Sequence, residues 1–142
     1  MSEVFETGSV EGTLDLGAKL AARLGPGDLL ALEGQLGAGK TVLIRGLARG
    51  LGVADDRIVS SPSYVLVREY HGRVPIFHVD LYRLRAPAEE LADLGLEEML
   101  VAGVVLIEWA DRARESLPRP HWRVSIQPTG TESREFTLER VG

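Results

Sequence analysis

Residues 34–41 read Gly34-Gln35-Leu36-Gly37-Ala38-Gly39-Lys40-Thr41 and match the spacing G-x-x-x-x-G-K-[ST]. No other segment constrains the chain as strongly. Glycines let a backbone wrap closely around phosphate oxygens in conformations that side chains forbid. Consecutive amide N–H groups then form an anion nest at a helix N-terminus, where the helix dipole is positive. Lys40 supplies a cation for β- and γ-phosphates, and the Thr41 hydroxyl is a hard oxygen donor suited to Mg2+. With this chain's own Gly, Lys and Ser/Thr frequencies, about 0.002 chance matches are expected. Gly34, Leu36, Gly37, Ala38, Gly39, Lys40 and Thr41 are therefore the phosphate-contacting candidates.

The flanks agree with the motif. Leu29-Leu30-Ala31-Leu32 is a short apolar run of the kind buried in a parallel sheet. After the loop, Leu43, Leu47 and Leu51 form a stripe that predicts a helix from Lys40 to Leu51, stopped by Gly52. Before it, Leu16, Leu20 and Leu24 predict an amphipathic helix over 9–24, capped by Ser9 and ended by Gly25-Pro26-Gly27. Tyr64 to Tyr70 and Val74 to Asp80 alternate across the turn His71-Gly72 and predict a hairpin. Pro87 to Leu100 reads as helix broken near Gly95, and Gly103 to Ile107 as a central strand. Trp122 to Gln127 and Glu135 to Val141 read as two further strands, joined by Pro128-Thr129-Gly130. The expected fold class is α/β and P-loop NTPase-like, with a mixed, mostly parallel central sheet, antiparallel edge strands and flanking helices. Residues 1–142 suffice for one such domain.

Composition narrows the function. Sixteen basic against twenty-one acidic residues give a net charge of -5, which argues against a surface that gathers nucleic acid by its own field. Cysteine is absent, excluding disulfide frameworks, thiolate zinc sites and cysteine nucleophiles together. No apolar run reaches the ~18 residues of a membrane span, and Met1 to Glu6 lacks the pattern of a secretory signal. A cytoplasmic protein without membrane contact is expected. Only two of the basic residues are lysines, Lys19 and Lys40, and one of them sits inside the motif.

A phosphate loop of this type also needs a carboxylate at the end of a buried strand, to hold the metal or its waters. Asp80 follows Val74 to Val79, and Glu108 follows the more apolar run Val104 to Ile107. Either can be the metal ligand. Neither lysine lies in an Asn-Lys-x-Asp context, so adenine is favoured over guanine. Ser60-Ser61-Pro62-Ser63-Tyr64 reads as a turn or as a switch whose hydroxyls sense the γ-phosphate. His78 and Tyr82 can flank the site, although a histidine on a strand reads first as structural. Trp109 is expected to pack at the upper sheet edge or to meet a partner. The arginine pairs 83/85 and 112/114 read as solvated faces rather than arginine fingers.

Four segments together resemble one family. Residues 34–41, Ser61-Pro62-Ser63-Tyr64-Val65-Leu66-Val67, His78-Val79-Asp80-Leu81-Tyr82-Arg83-Leu84 and Ile107-Glu108-Trp109 follow the order and spacing of TsaE (formerly YjeE), the ATPase of bacterial tRNA threonylcarbamoyladenosine biosynthesis. The likeness spans about Thr13 to Arg112. It implies a small P-loop ATPase of weak intrinsic turnover that uses ATP and Mg2+. It implies as partner the heterodimer of the threonylcarbamoyl-transferase subunit and its inactive paralogue, with tRNA contacted only indirectly. Carried over, Lys40 binds phosphate, Thr41 and Glu108 hold Mg2+, and Asp80 supports the metal or the attacking water. Ser61, Pro62, Ser63 and Tyr64 correspond to the switch-like loop, and Trp109 to an aromatic needed for function. Two positions depart from the pattern. Ser63 stands where Thr is usual, keeping the hydroxyl without the methyl, and Val42 stands where many members carry a second Thr. Two other readings remain open on the residues: a small-molecule kinase of the P-loop class, and a nucleotide-gated binding module without catalysis.

Overall fold

The computed structural model describes residues 2–35, 39–59 and 67–142. Seven strands form one sheet in the order β1-β7-β6-β2-β5-β4-β3. These are β1 (Ser2–Thr7), β2 (Leu29–Gly34), β3 (Val67–His71), β4 (Pro75–Asp80), β5 (Val104–Glu108), β6 (His121–Pro128) and β7 (Arg134–Val141). The helices are α1 (Val10–Ala21), α2 (Lys40–Gly50), α3 (Pro87–Asp93) and α4 (Leu96–Ala102). In the middle of the sheet, β6, β2, β5 and β4 pair in parallel, while β1–β7, β6–β7 and β3–β4 are antiparallel. The mixed sheet with antiparallel edges is the one its sequence predicts.

The two faces of the sheet are filled by different sets of side chains. Alternate residues of a strand point to opposite faces. Leu30, Leu32, Val104 and Leu106 therefore pack with Leu43, Ile44 and Leu47 of α2 and Leu16 and Leu20 of α1. Leu29, Ala31, Val105 and Ile107 meet Leu91 of α3, Leu96 of α4 and Leu117 on the other face. This double burial is why β2 and β5 are apolar without alternation.

Helices α1 and α2 cross at very close range. A Cβ added at Gly17 would lie 2.6 Å from the Leu43 carbonyl oxygen, and one at Gly46 would lie 2.4 Å from that of Leu14. Only glycine permits this approach. The close crossing holds α2, whose first residue is Lys40, against α1.

The element boundaries shift in ways with local causes. Ser9 caps α1 as expected, its hydroxyl accepting from the Gly12 N–H at 3.0 Å. The helix ends at Ala21 rather than 24, because Arg23 and Leu24 bond back to Leu20 and Ala21 in a tighter turn. Gly95, at φ 79°, separates α3 from α4 where the break was expected. Strand β1 has no counterpart in the sequence reading. Its residues are mostly exposed, so it lacks apolar alternation, and it exists through pairing with β7 from Ser2↔Glu139 to Thr7↔Arg134. The expected strand from Tyr64 begins at Val67 among the described residues.

Candidate functional site

The site lies at the carboxyl ends of β2, β5 and β4. Sheet register places Leu32 beside Glu108 and Glu108 beside Asp80, so the two carboxylates occupy one row across adjacent strands. Both point to the face that carries α2, because each lies an even number of residues from Leu106 or Ile76, which are packed on that face. Asp80 and Glu108 are 5% and 3% exposed, which for carboxylates demands specific partners.

Glu108 has its partner in His78. The Glu108 Oε2 lies 2.6 Å from His78 Nε2, and His78 Nδ1 lies 3.0 Å from the Tyr70 hydroxyl. His78 is thus buried and bonded at both nitrogens, and one of its partners is a candidate site carboxylate. Asp80 Oδ1 accepts from the Tyr82 N–H at 2.9 Å, fixing the turn that leaves β4.

Lys40 is the first residue of α2, preceded by Gly39 at φ 101° in the left-handed region. Its Nζ donates to the carbonyls of Gly34 and Gln35 at 2.6 and 3.0 Å. The same ammonium stands 3.9 Å from the centroid of the Trp109 ring, in cation–π range. Burial pushes the Lys40 pKa below its ordinary value, opposed by the nearby carboxylates of Glu108, Asp111 and Asp80. Asp111 was not singled out by sequence, and nothing in its spacing marks it.

Trp109 adopts φ 57°, the only described non-glycine residue with a positive φ. For a bulky side chain this conformation costs of order 1–3 kcal/mol. It turns the chain at the end of β5 so that the indole lies over Lys40 and 4.7 Å, centroid to centroid, from the Tyr82 ring. Trp109 is thus at the upper sheet edge as expected, yet inside the site.

The arginines at 112 and 114 are exposed, as expected of solvated faces, and each also makes defined contacts. Arg112 Nη1 donates to the carbonyls of Leu81 and Tyr82 at 2.8 and 2.6 Å, tying the turn after β5 to the turn after β4. Arg114 makes a two-pronged contact with Glu33, its Nε donating to Oε2 at 3.0 Å and its Nη2 to Oε1. A sequence window cannot see such pairs, which join residues 81 positions apart. Arg134 of β7 was missed as well; its Nε lies 3.3 Å from where a Gly39 Cβ would be, beside the phosphate loop.

A groove of about 360 Å³, lined by Glu33, Gly34, Gln35, Trp109 and Asp111 among others, opens beside the loop. A larger cavity of about 690 Å³ lies between α3 and α4 and shares none of these residues. Gly34, Gly39, Lys40, Thr41, Asp80, Glu108 and Trp109 are thus brought to one end of the sheet. Leu36, Gly37, Ala38, Ser61, Pro62, Ser63 and Tyr64 lie outside the described residues.

Among the described residues no cluster of three or more His, Cys, Asp or Glu residues could hold a metal alone. The donors present are instead one hydroxyl and two carboxylates. That set suits Mg2+, which commonly takes one or two carboxylates and completes its shell with phosphate and water.

A buried parallel strand, a glycine-rich loop opening a helix, and strand-end carboxylates on the helix side define a P-loop protein. The family model "Threonylcarbamoyl adenosine biosynthesis protein TsaE" matches residues 7–136. The chain is 41% identical over 140 residues to the tRNA threonylcarbamoyladenosine biosynthesis protein TsaE of Bacillus subtilis, covering 97% of this chain and 85% of that one. The protein of the same name from Treponema pallidum is 36% identical over 131 residues, covering 92% and 95%. The crystal structure of Bacillus subtilis YdiB superposes with a TM-score of 0.82 at 37% identity, over 100% of this chain and 87% of the other. The chain belongs to the TsaE family, which acts in tRNA threonylcarbamoyladenosine biosynthesis. Among the described residues no helix is long and apolar enough to cross a membrane.

Proposed function

We propose that this protein is an Mg2+-dependent ATPase whose hydrolysis supports repeated cycles of the threonylcarbamoyl-transferase complex. The observation that carries the reading is the convergence of Lys40, Asp80 and Glu108, from three separate elements, on one end of the sheet. The α2 N-terminus and Gly39 supply donors for phosphate oxygens. Lys40 Nζ exchanges the carbonyls of Gly34 and Gln35 for the β- and γ-phosphates. Thr41, Glu108 and Asp80 are the oxygen donors for the metal. When bound, Mg2+ neutralises charge on the transferring phosphoryl group. Asp80 or Glu108 orients the attacking water, and Trp109 shields the ammonium from solvent on its outer side.

The protein acts in the cytoplasm with the heterodimer of the transferase subunit and its inactive paralogue, reaching tRNA only through that complex. A net charge of -5 supports an indirect contact. The test is product analysis with ATP and Mg2+, with and without the heterodimer. Inorganic phosphate as product, released faster with the heterodimer, is expected. Transfer of the phosphoryl group to an added metabolite, or no binding of ATP, overturns the reading.

A further inference from the structure

We propose that His78 is a positioning residue, buttressed by Tyr70, that fixes the carboxylate of Glu108 by a single N–H bond and leaves its second oxygen open. The inference rests on the ATPase reading above and adds residues to that site.

All three side chains are buried: Tyr70 is 3% exposed, His78 0% and Glu108 3%. They come from three neighbouring strands and face the same side of the sheet, because Tyr70 pairs with Ile76 and His78 with Leu106. An ionised carboxylate only accepts hydrogen bonds, so the 2.6 Å contact with Glu108 requires the proton on His78 Nε2. In the neutral ring Nδ1 then accepts from the Tyr70 hydroxyl at 3.0 Å. The ring can neither flip nor change tautomer without breaking both bonds.

This arrangement is more specific than burial requires. A guanidinium can engage both oxygens of a buried carboxylate at once. Histidine binds one. Among the described residues Glu108 Oε1 accepts no hydrogen bond, while Oε2 is held at a defined point. A carboxylate held in this way has one oxygen fixed and the other left to accept, as a metal- or water-holding group needs. Partners that orient metal-binding residues typically contribute 10–100-fold to affinity or activity. Tyr70 acts one step further back, so its contribution is smaller.

The experiment uses the full chain with two readouts. The first needs neither metal nor nucleotide: 15N NMR of the imidazoles, with the His78 signals assigned by their disappearance in His78→Gln. A protonated Nε2, and an Nδ1 resonance displaced in Tyr70→Phe, are expected; an unprotonated Nε2 overturns the proposal. The second is the Mg2+ concentration that half-saturates ATP hydrolysis. It should rise about 10–100-fold in His78→Leu. It should stay near wild type in His78→Gln, whose amide can still donate to Glu108, and rise less in Tyr70→Phe. Equal Mg2+ dependence in the Leu and Gln variants means that His78 only packs, and overturns the proposal. If His78→Leu does not fold, the Tyr70→Phe titration and the NMR tautomer decide by the same criteria. A wild type that hydrolyses no ATP defeats the ATPase reading itself, a result separate from an active wild type with an indifferent His78→Leu.

Discussion

Glu33 and Glu108 end adjacent parallel strands, are both almost fully buried, and have been given opposite surroundings. Glu33 stands one position beyond the row of Leu32 and Glu108, so it faces the other side of the sheet. There Arg114 grips both of its oxygens, and Arg123 Nε lies at an ion-pair distance of 3.4 Å. Glu108 receives one bond from an imidazole and lies near a partly desolvated ammonium. With both oxygens engaged by guanidinium groups, Glu33 holds the turn after β5 against β2. A carboxylate held at one oxygen retains the other for chemistry. Burial alone does not separate the two; the number of bonds each oxygen makes does.

Substitutions can break or sharpen this contrast. The largest effect is expected for Lys40→Ala, which removes the cation from the Glu108 side and should slow ATP turnover by about 10²–10³-fold, measured as phosphate release. Glu108→Gln keeps the shape but not the charge. Its turnover should fall at least ~100-fold while its thermal unfolding midpoint stays near wild type. Glu33→Gln should do the reverse, losing about 1–2 kcal/mol of stability in urea titrations, a range reduced because Arg114 is partly exposed. If Glu33→Gln abolishes turnover without loss of stability, the contrast is wrong.

A smaller effect concerns a second pair, the buried histidines. His78 is bonded at both nitrogens, whereas His121 donates from Nδ1 to the Pro118 carbonyl at 2.9 Å and its buried Nε2 has no partner among the described residues. Burial holds the His121 pKa below the ordinary 6.5, assisted by Arg123, Arg119 and Arg140 and opposed by the Pro118 bond. The unfolded chain therefore binds a proton before the folded one does. Stability is full above 6.5 and declines as pH falls from there through the lower folded-state value. His121→Asn should flatten that decline in pH-dependent urea midpoints. The smallest effect is a gain in stability of the nucleotide-free protein in Lys40→Met, since burial disfavours the ammonium. The gain should be constant near neutrality and shrink at alkaline pH, as wild-type Lys40 loses its proton in the folded state.

Those surroundings explain what could be read from the chain in advance. The loop, β2, α2 and β5 were legible because their signals are local: a fixed spacing, an apolar run, a leucine stripe. Asp80 and Glu108 were legible as strand ends, and sheet register then set them side by side. The contacts of the exposed Arg112 and Arg114 could not be read because their partners, Leu81, Tyr82 and Glu33, are 30 or more residues away. Strand β1 escaped because an exposed edge strand needs no apolar pattern when its partner supplies the ladder. The link from His78 to Glu108 spans 30 positions and becomes visible only when β4 lies beside β5.

The most direct test is phosphate release from ATP with Mg2+ and the transferase heterodimer, comparing wild type with Lys40→Ala. The account predicts release that depends on Mg2+, rises with the heterodimer and is lost in the variant. Equal release by both proteins would contradict it.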